Sequence, residues 1–406
     1  MADIWFQAAL WLGLALVATL LSAYLHIATA LSEIVVGTIA QLFIGALVGA
    51  GVLAGDASWV QFLAGAGAIL LTFLAGAELD PAVFRKQWKQ AVLIGLISFF
   101  LPFFLCTALA LWGLSWSLQA SWLAGIAMST TSVAVVYAVM LELGINASGY
   151  GKTVLAACFV TDLATVIALG VIFAPFTLKT LAFTGAMVAA AFLLPWLTPR
   201  FFKRFGDRPS ELEAKFLMLS LFALGGLATW ADSEAVLPAY LIGMVLAGTV
   251  GKDHALIRRL RTMTFGLLTP FYFIRAGSLV SLPALASAPA AFLLLLTVKM
   301  VAKLAGVYPV SRFYGASARE GMYTTLLMST GLTFGTISAL FGLSHLLISP
   351  AQYSSLVAAV IGSAVIPTLI ANAFFLPRHL LPASAAATPE AGKPVQPRQQ
   401  DADKRR

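Results

Sequence analysis

A single carboxylate stands in the middle of a long hydrophobic stretch of this sequence. Asp162, preceded by Thr161, lies near the centre of residues 150–173, deeper in an apolar run than any other acidic residue. An ionised carboxylate in hydrocarbon is costly, so such a group normally faces a partner or a water-filled pathway. We therefore expect Asp162 to bind a cation or a proton. The alternative is a structural carboxylate that is paired with a buried base.

Two lysines are candidates for a base that modulates Asp162. Lys299 and Lys303 are one helical turn apart, on one face of the apolar run 287–310. Either ammonium would lower the cost of an ionised Asp162 and would compete with a cation for it. The alternative is that these side chains snorkel to the membrane interface. That alternative suits Lys303, which is nearer the end of the run, better than Lys299.

Hydroxyl residues cluster in two other apolar runs. Consecutive hydroxyls compete for backbone hydrogen bonds and loosen a helix, and helices that are unwound at the membrane midplane hold ions in transporters. We expect broken helices here; the alternative is ordinary hydrogen bonding between packed helices. The first cluster consists of Ser129, Thr130, Thr131 and Ser132, and its broken-helix partner contains Ser329, Thr330 and Gly331.

Three more charged residues lie within or at the end of apolar runs. Glu78 and Asp80 come just before Pro81 and end the third run. Acidic groups are unfavourable at a helix C-terminus, so a local partner is expected, and a structural or gating role is favoured over ion binding. Arg275 could pair with Asp162, line an outer vestibule or snorkel.

The composition is that of a membrane protein with many spans. The chain of 406 residues is 60% hydrophobic and 10% charged, whereas soluble domains have about 25% charged residues. The net charge of +8 comes from basic residues in short loops and the tail, so no nucleic-acid partner is expected. Cys106 and Cys158 lie in apolar runs, which argues against disulfides. No resident metal, cofactor or enzymatic activity is expected, because the loops contain no metal-ligand cluster and no phosphate-binding loop.

Charged and Pro/Gly-rich breaks divide the chain into 13 apolar segments. Nearly all lysines and arginines then fall on one side of the membrane, which predicts an outside N-terminus and a cytoplasmic C-terminus. Residues 1–376 form the predicted transmembrane domain, and 377–406 a disordered cytoplasmic tail. The segments are 4–25, 33–53, 59–79, 90–113, 120–142, 150–173, 176–197, 213–230, 234–250, 262–281, 287–310, 321–342 and 351–376.

The chain resembles itself at a spacing of about 200 residues. Matched segments are seven spans apart and therefore run in opposite directions. This predicts two inverted six-helix repeats (about 4–173 and 213–376), joined by a linker helix at about 176–197, as in secondary transporters. The matches are Ser32-Glu33 with Ser233-Glu234, Ala75-Gly76 with Ala276-Gly277, and Met128-Ser129-Thr130 with Met328-Ser329-Thr330.

These motifs together resemble the monovalent cation:proton antiporters of the Kef-type and sodium/proton exchanger branch. The resemblance covers nearly all of residues 1–376. It is carried by the hydroxyl cluster, Thr161-Asp162 and three further stretches: Ala75-Gly76-Ala77-Glu78-Leu79-Asp80, Pro270-Phe271-Tyr272-Phe273 and Lys303-Leu304-Ala305-Gly306.

The resemblance implies an all-α polytopic fold with 13 spans, inverted repeats and broken crossing helices, usually as a homodimer in the plasma membrane. It also implies that Asp162 binds the transported cation, that Lys303 modulates it, and that Thr130 and Thr131 help coordinate. The chain departs from the family pattern at Thr161, at Gly331-Leu332-Thr333-Phe334, which lacks an acid, and at Arg275. Because the tail is short, we expect no cytosolic nucleotide-binding domain of the kind found in glutathione-gated members.

The predicted function is a secondary antiporter in which Asp162 holds either a proton or a dehydrated Na⁺ or K⁺. Competition for one carboxylate would couple the two fluxes. One alternative is a cation-coupled solute symporter or a cation channel on the same scaffold. A more distant alternative is a membrane-embedded lipid enzyme, which would require acids and histidines converging at the interface.

Overall fold

Helices make up the regular structure of the chain wherever it is described, and no strand occurs there. This confirms the all-α class. The structure is a computed structural model, and the described residues are 2–25, 28–47, 53, 55–77, 81–173, 177–206, 209–231, 233, 235–278 and 289–381.

The α-helices fall into two halves along the chain. The first half contains α1 (Ala2–Leu25), α2 (Thr29–Leu47), α3 (Ser58–Ala77), α4 (Pro81–Ala108), α5 (Leu118–Ser129), α6 (Val133–Glu142), α7 (Gly149–Phe173) and α8 (Leu178–Phe205). The second half contains α9 (Leu212–Trp230), α10 (Val236–Leu246), α11 (His254–Met263), α12 (Thr269–Ser278), α13 (Pro289–Phe313), α14 (Ala318–Leu327), α15 (Thr333–Ser344) and α16 (Pro350–Ile370).

Three π-helical turns modify these helices. Leu109–Gly113 extends α4, Thr264–Leu268 joins α11 to α12, and Ala371–Phe375 extends α16. The helix containing α12 therefore begins at His254, earlier than the predicted segment 262–281. The prediction missed this start because α11 is amphipathic and basic, whereas the segments were chosen by continuous apolar character.

Nine helical segments within the described ranges are long and apolar enough to cross a bilayer. The helices α2 and α15 are apolar but shorter. The remaining predicted spans correspond to α2, α10, α11–α12 and the interrupted pair α14–α15. The count of 13 spans and the inverted repeat remain predictions.

The region from α5 to α6 is the centre of the helical assembly. Residues 123–140 are all buried, whereas only 22% and 17% of the corresponding apolar stretches of α1 and α8 are buried. Large apolar side chains such as Phe192 and Trp196 are exposed on α8. Exposed apolar surface of this extent suits a lipid-facing helix. The hydroxyl residues 129–132, between α5 and α6, are instead fully buried.

Glycines allow two pairs of helices to approach closely. A Cβ atom at Gly243 of α10 would lie 2.3 Å from the Phe73 carbonyl oxygen of α3, and one at Gly277 of α12 would lie 2.0 Å from the Ile34 carbonyl oxygen of α2. Small residues at such contacts are typical of membrane helices. In the predicted repeat, α2 corresponds to α10 and α3 corresponds to α12. The α3–α10 contact in one pairing would then be equivalent to the α2–α12 contact in the other.

The end of the described chain packs on the start of α14. Residues Arg378–Leu380 form a turn of 3₁₀-helix, and the His379 Nε2 atom lies 3.1 Å from Glu320 Oε1. Glu320 also forms a capping box with Ser317 at the start of α14. The predicted disorder from residue 377 is thus wrong for these first residues, whereas residues 382–406 lie outside the described part.

Candidate functional site

The first hydroxyl cluster marks a real interruption between α5 and α6. Helix α5 ends at Ser129 and α6 begins at Val133, and between them Thr130 and Ser132 have extended backbone angles. The Thr130 hydroxyl donates to the Ala127 carbonyl at 2.9 Å, which closes the end of α5. The Ser132 hydroxyl accepts from the Val135 N–H at 3.4 Å and caps the start of α6. Hydroxyl residues are therefore present where a helix ends and another starts.

The second cluster interrupts the chain between α14 and α15. Helix α14 ends at Leu327, and α15 begins at Thr333. The Thr330 hydroxyl donates to the Leu327 carbonyl at 2.8 Å, as Thr130 does in the first break. The Ser329 hydroxyl donates to the Thr325 carbonyl. Both predicted clusters thus lie at helix interruptions about 200 residues apart.

The two interruptions contact each other directly. The Thr131 hydroxyl donates to the Met328 carbonyl at 2.8 Å, and the Ser132 and Thr333 hydroxyls are 3.0 Å apart. A Cβ atom at Gly331 would lie 2.6 Å from the Thr130 hydroxyl oxygen. Gly331 therefore permits the close approach of the two breaks. Four helix ends meet at this crossing.

Asp162 lies beside the first break. Its side chain is 5% exposed, and the N–H of Val133, the first residue of α6, donates to the carboxylate. The N-terminus of a helix favours negative charge. The Oδ1 atom of Asp162 has no hydrogen-bond partner among the residues that the structure describes. A buried carboxylate with a free oxygen is costly unless another group, such as a cation or a proton, completes it.

Lys303 contacts the first break at the end of α5. Its Nζ atom donates to the Ser98 hydroxyl at 2.7 Å, to the Ser129 carbonyl at 2.9 Å and to the Thr131 hydroxyl at 3.2 Å. The ammonium thus lies at the C-terminal end of α5, where positive charge is favourable. None of these bonds goes to Asp162, on which Lys303 acts through space. The lysine is fully buried, so it does not snorkel.

Lys299 has a different set of neighbours from Lys303. Its Nζ atom donates to the Ser363 hydroxyl of α16 at 2.9 Å and lies beside Gly331. It is also fully buried. Lys299 therefore contacts α16 and the second break, whereas Lys303 contacts the first break, beside which Asp162 lies.

The structure separates some predicted residues from the carboxylate. The Thr161 hydroxyl donates to the Gly95 carbonyl of α4 at 3.0 Å and to the Ala157 carbonyl at 3.1 Å, so it fastens α7 to α4. The Ser129 hydroxyl donates to the Ile126 carbonyl, and only its own backbone carbonyl faces Lys303. Thr161 and Ser129 are therefore positioned to hold helices in place.

Arg275 does not pair with Asp162. Its Nε atom donates to the Gly55 carbonyl at 2.8 Å, and its Nη2 atom lies 4.0 Å from Asp56 Oδ1. Asp56 is exposed, so this contact belongs to the rim of the helical assembly. The predicted gating residues Glu78 and Asp80 lie outside the described residues.

Sequence reasoning missed several groups at the site. Ser98 is a lone serine in an apolar run, and nothing in its spacing shows which helix it faces. The Val133 N–H carries no sequence signal beyond its position after the hydroxyl cluster. Tyr272 bonds to the Thr333 hydroxyl, and only its place in the stretch from Pro270 to Phe273 could have indicated it. Ser363 is, like Ser98, a lone serine in an apolar run.

The site also contains a buried thiol. Cys158 lies one turn before Asp162 on α7, is free and fully buried, and its Sγ atom is 3.5 Å from Met328 Sδ. Together these groups form a compact region of helix ends, hydroxyls, one carboxylate and one ammonium. Oxygen ligands of this kind suit a hard cation, and the carboxylate can equally take a proton.

Several curated proteins are similar in sequence to the chain. The Na(+)/H(+) antiporter NhaS5 of Synechocystis sp. (strain PCC 6803) is 28% identical over 61% of the chain and 37% of its own length. The cation/H(+) antiporter 15 of Arabidopsis thaliana is 26% identical over 67% of the chain and 35% of its length. The glutathione-regulated potassium-efflux system protein KefC of Salmonella arizonae is 26% identical over 79% of the chain and 54% of its length. The chain spans about a third to a half of these relatives.

The fold is similar to a solved structure, that of the sodium proton antiporter MjNhaP1 from Methanocaldococcus jannaschii at pH 8. The TM-score is 0.68, and the match covers 91% of the chain and 95% of that structure at 16% identity. At this identity the likeness establishes the fold alone. The family model described as "Sodium/hydrogen exchanger, transmembrane" matches residues 14–376. The chain therefore belongs to the sodium/hydrogen exchanger family of membrane proteins.

Proposed function

We propose that the chain exchanges a monovalent cation, Na⁺ or K⁺, for protons, and that both ions use Asp162. The observation that carries the proposal is the buried carboxylate with an unpartnered oxygen beside the first helix break. A cation bound there would complete the coordination of Asp162 with nearby oxygen atoms. A proton bound there would neutralise the carboxylate instead.

Coupling follows from exclusive occupancy. A neutral, protonated Asp162 offers little attraction to a cation, whereas an ionised Asp162 without a cation leaves a buried charge unsatisfied. With a cation or a proton bound to Asp162, the site would therefore be able to switch its exposure from one side of the membrane to the other. With neither ion bound, it would resist this change. Lys303, fixed by three oxygen atoms, holds a positive charge near the site and weakens cation binding through repulsion.

We propose the arrangement of two inverted six-helix repeats with 13 spans for this mechanism. Both hydroxyl clusters lie at helix interruptions, and the α3–α10 and α2–α12 contacts repeat one glycine-mediated packing mode. A homodimer in the plasma membrane, with an outside N-terminus and a cytoplasmic C-terminus, is part of the same proposal and is supported by the charge distribution and by the family.

The test is proton movement in proteoliposomes that contain a pH-sensitive dye. With the wild-type protein, a pulse of Li⁺, Na⁺, K⁺ or Rb⁺ should dissipate a pH gradient. The rate of dissipation ranks the cations as transported ions. Asp162→Asn should abolish this response for every cation, because an amide neither titrates nor carries charge. Asp56→Asn, which changes an exposed carboxylate, is the matched control and should retain exchange.

Retained exchange in a folded Asp162→Asn variant would overturn the assignment of the site. A response that requires an added organic solute would instead favour a symporter, and cation flux without proton movement would favour a channel.

A further inference from the structure

A second group of polar residues surrounds a cavity of about 460 Å³ between α1, α2, α6 and the helix that includes α12. Its wall is mostly apolar, but two carboxylates and three threonines also line it. The cavity is open on one side and is large enough for an ion with several water molecules. The polar lining consists of Thr19, Thr29, Glu33, Glu142 and Thr269.

Glu142 is fixed in this cavity by the start of α2. It is the last residue of α6, and the backbone N–H of Thr29 donates to its Oε1 and Oε2 atoms at 2.9 and 2.8 Å. The N-terminus of α2 thus favours an ionised Glu142. The Thr29 hydroxyl is engaged with Ser22 at 2.9 Å. One carboxylate of the cavity is therefore held rigidly.

Glu33 has no such support. It lies one turn after Thr29 on α2 and is only 3% exposed. Among the described residues, its carboxylate has no hydrogen bond or ion pair, and the charge that acts on it is that of Glu142. Glu33 is a buried carboxylate without a partner in the described part of the chain, and it is repelled by Glu142, whose side chain is exposed. Such a buried group requires a compensating positive charge or a proton.

No basic side chain of the described residues lines the cavity. The wall residues from α1, from the π-turn and from α12 are all uncharged, and Arg275, on α12, is bonded to Gly55 instead. A bound cation would supply the compensating positive charge. Two carboxylates with threonine hydroxyls nearby supply hard oxygen ligands, which suit an alkali cation.

We propose that Glu33 and Glu142 form a second site for a monovalent cation, separate from Asp162. Helix α6 connects the two sites, because Val133 at its start contacts Asp162 and Glu142 is at its end. The nine intervening steps correspond to about 13 Å along the helix. The role of this second site as a loading point for the transport cycle rests on the proposed function, whereas cation binding to it does not.

The binding test uses the full chain in nanodiscs and measures equilibrium binding of ²²Na⁺ and ⁸⁶Rb⁺. The variant Asp162→Asn should retain saturable binding of at least one of these ions. Adding Glu33→Gln to that variant should weaken the remaining binding at least tenfold, whereas adding the control Asp56→Asn should not. Absence of saturable binding in Asp162→Asn, or binding that Glu33→Gln leaves unchanged, would overturn the proposal.

A chemical measurement avoids any substitution in the second site. Carbodiimide modifies buried carboxyl groups, and mass spectrometry quantifies the modified fraction at Glu33 and Glu142. In the Asp162→Asn protein, Na⁺ or Rb⁺ should slow this modification at constant pH and ionic strength, with choline as the reference ion. Equal rates with choline would mean that Glu33 only binds a proton, and would overturn the proposal. Proton flux through Asp162 is not involved, so this result is distinguishable from failure of the antiport mechanism.

Discussion

Replacing Lys303 with methionine should destabilise the first helix break, whereas the same change at Lys299 should have little effect. Methionine retains most of the apolar stem and removes the ammonium. Lys303 makes three hydrogen bonds to the region of the break, and Lys299 makes one, to the Ser363 hydroxyl. The two substitutions remove the same charge from the same face of α13, so each serves as the control for the other.

The magnitude depends on which acceptors lose their only donor. The Thr131 hydroxyl keeps its bond to Met328, and the Ser98 hydroxyl can rotate, so the Ser129 carbonyl is the group left unsatisfied. An unsatisfied buried polar group costs about 1–3 kcal/mol. At Lys299 the Ser363 hydroxyl keeps its bond to Val360, and the expected cost is below about 1 kcal/mol.

Thermal unfolding followed by tryptophan fluorescence in detergent measures the difference. The Tm should fall by several degrees for Lys303→Met and by less for Lys299→Met. The pH profile of exchange in proteoliposomes should also shift for Lys303→Met alone, because the Lys303 ammonium bonds to the break beside which Asp162 lies. An equal or larger loss of Tm for Lys299→Met would refute this account of the two lysines.

Other substitutions test the packing and the crossing. Gly243→Ala should lower the free energy of unfolding by about 1–3 kcal/mol, because its Cβ meets the Phe73 carbonyl; Gly65→Ala, with nothing within 4 Å, is the control, and an equal loss would contradict the close contact. Thr131→Val should slow exchange at least about tenfold, or about 1.4 kcal/mol, whereas Thr131→Ser should not; equal rates for the two would exclude a role for the hydroxyl. Arg275→Gln should leave the pH optimum of exchange unchanged, and a shifted optimum would indicate coupling to Asp162.

The predictions that depended on local sequence agree with the geometry. The hydroxyl clusters indicated helix interruptions, and the structure has them at residues 130–132 and 328–332. Asp162 lies in a long apolar run of the sequence, and the structure has it buried. Such inferences require only that a polar residue lies among apolar neighbours in the sequence.

Contacts between distant segments could not be predicted in this way. The partners of Lys303 come from α4 and α5, and helical periodicity does not determine which helix packs on which face. Glu33 and Glu142 lie near the ends of predicted spans, where charged residues usually reach water. Glu33 is nevertheless buried, beside a cavity whose wall α1 and the helix containing α12 complete, and this arrangement is a property of the whole assembly.

The thiol of Cys158 provides a chemical reporter that needs no engineering of the site. Because it is fully buried one turn from Asp162, a water-soluble maleimide can reach it only when the surrounding helices separate. The variant Cys106→Ser removes the other thiol. When the maleimide is then applied from one side of the membrane at a time, the alkylation rate would report how often the helices separate toward that side. The dependence of this alkylation rate on the ion present would show which transported ion stabilises the closed arrangement of the helices.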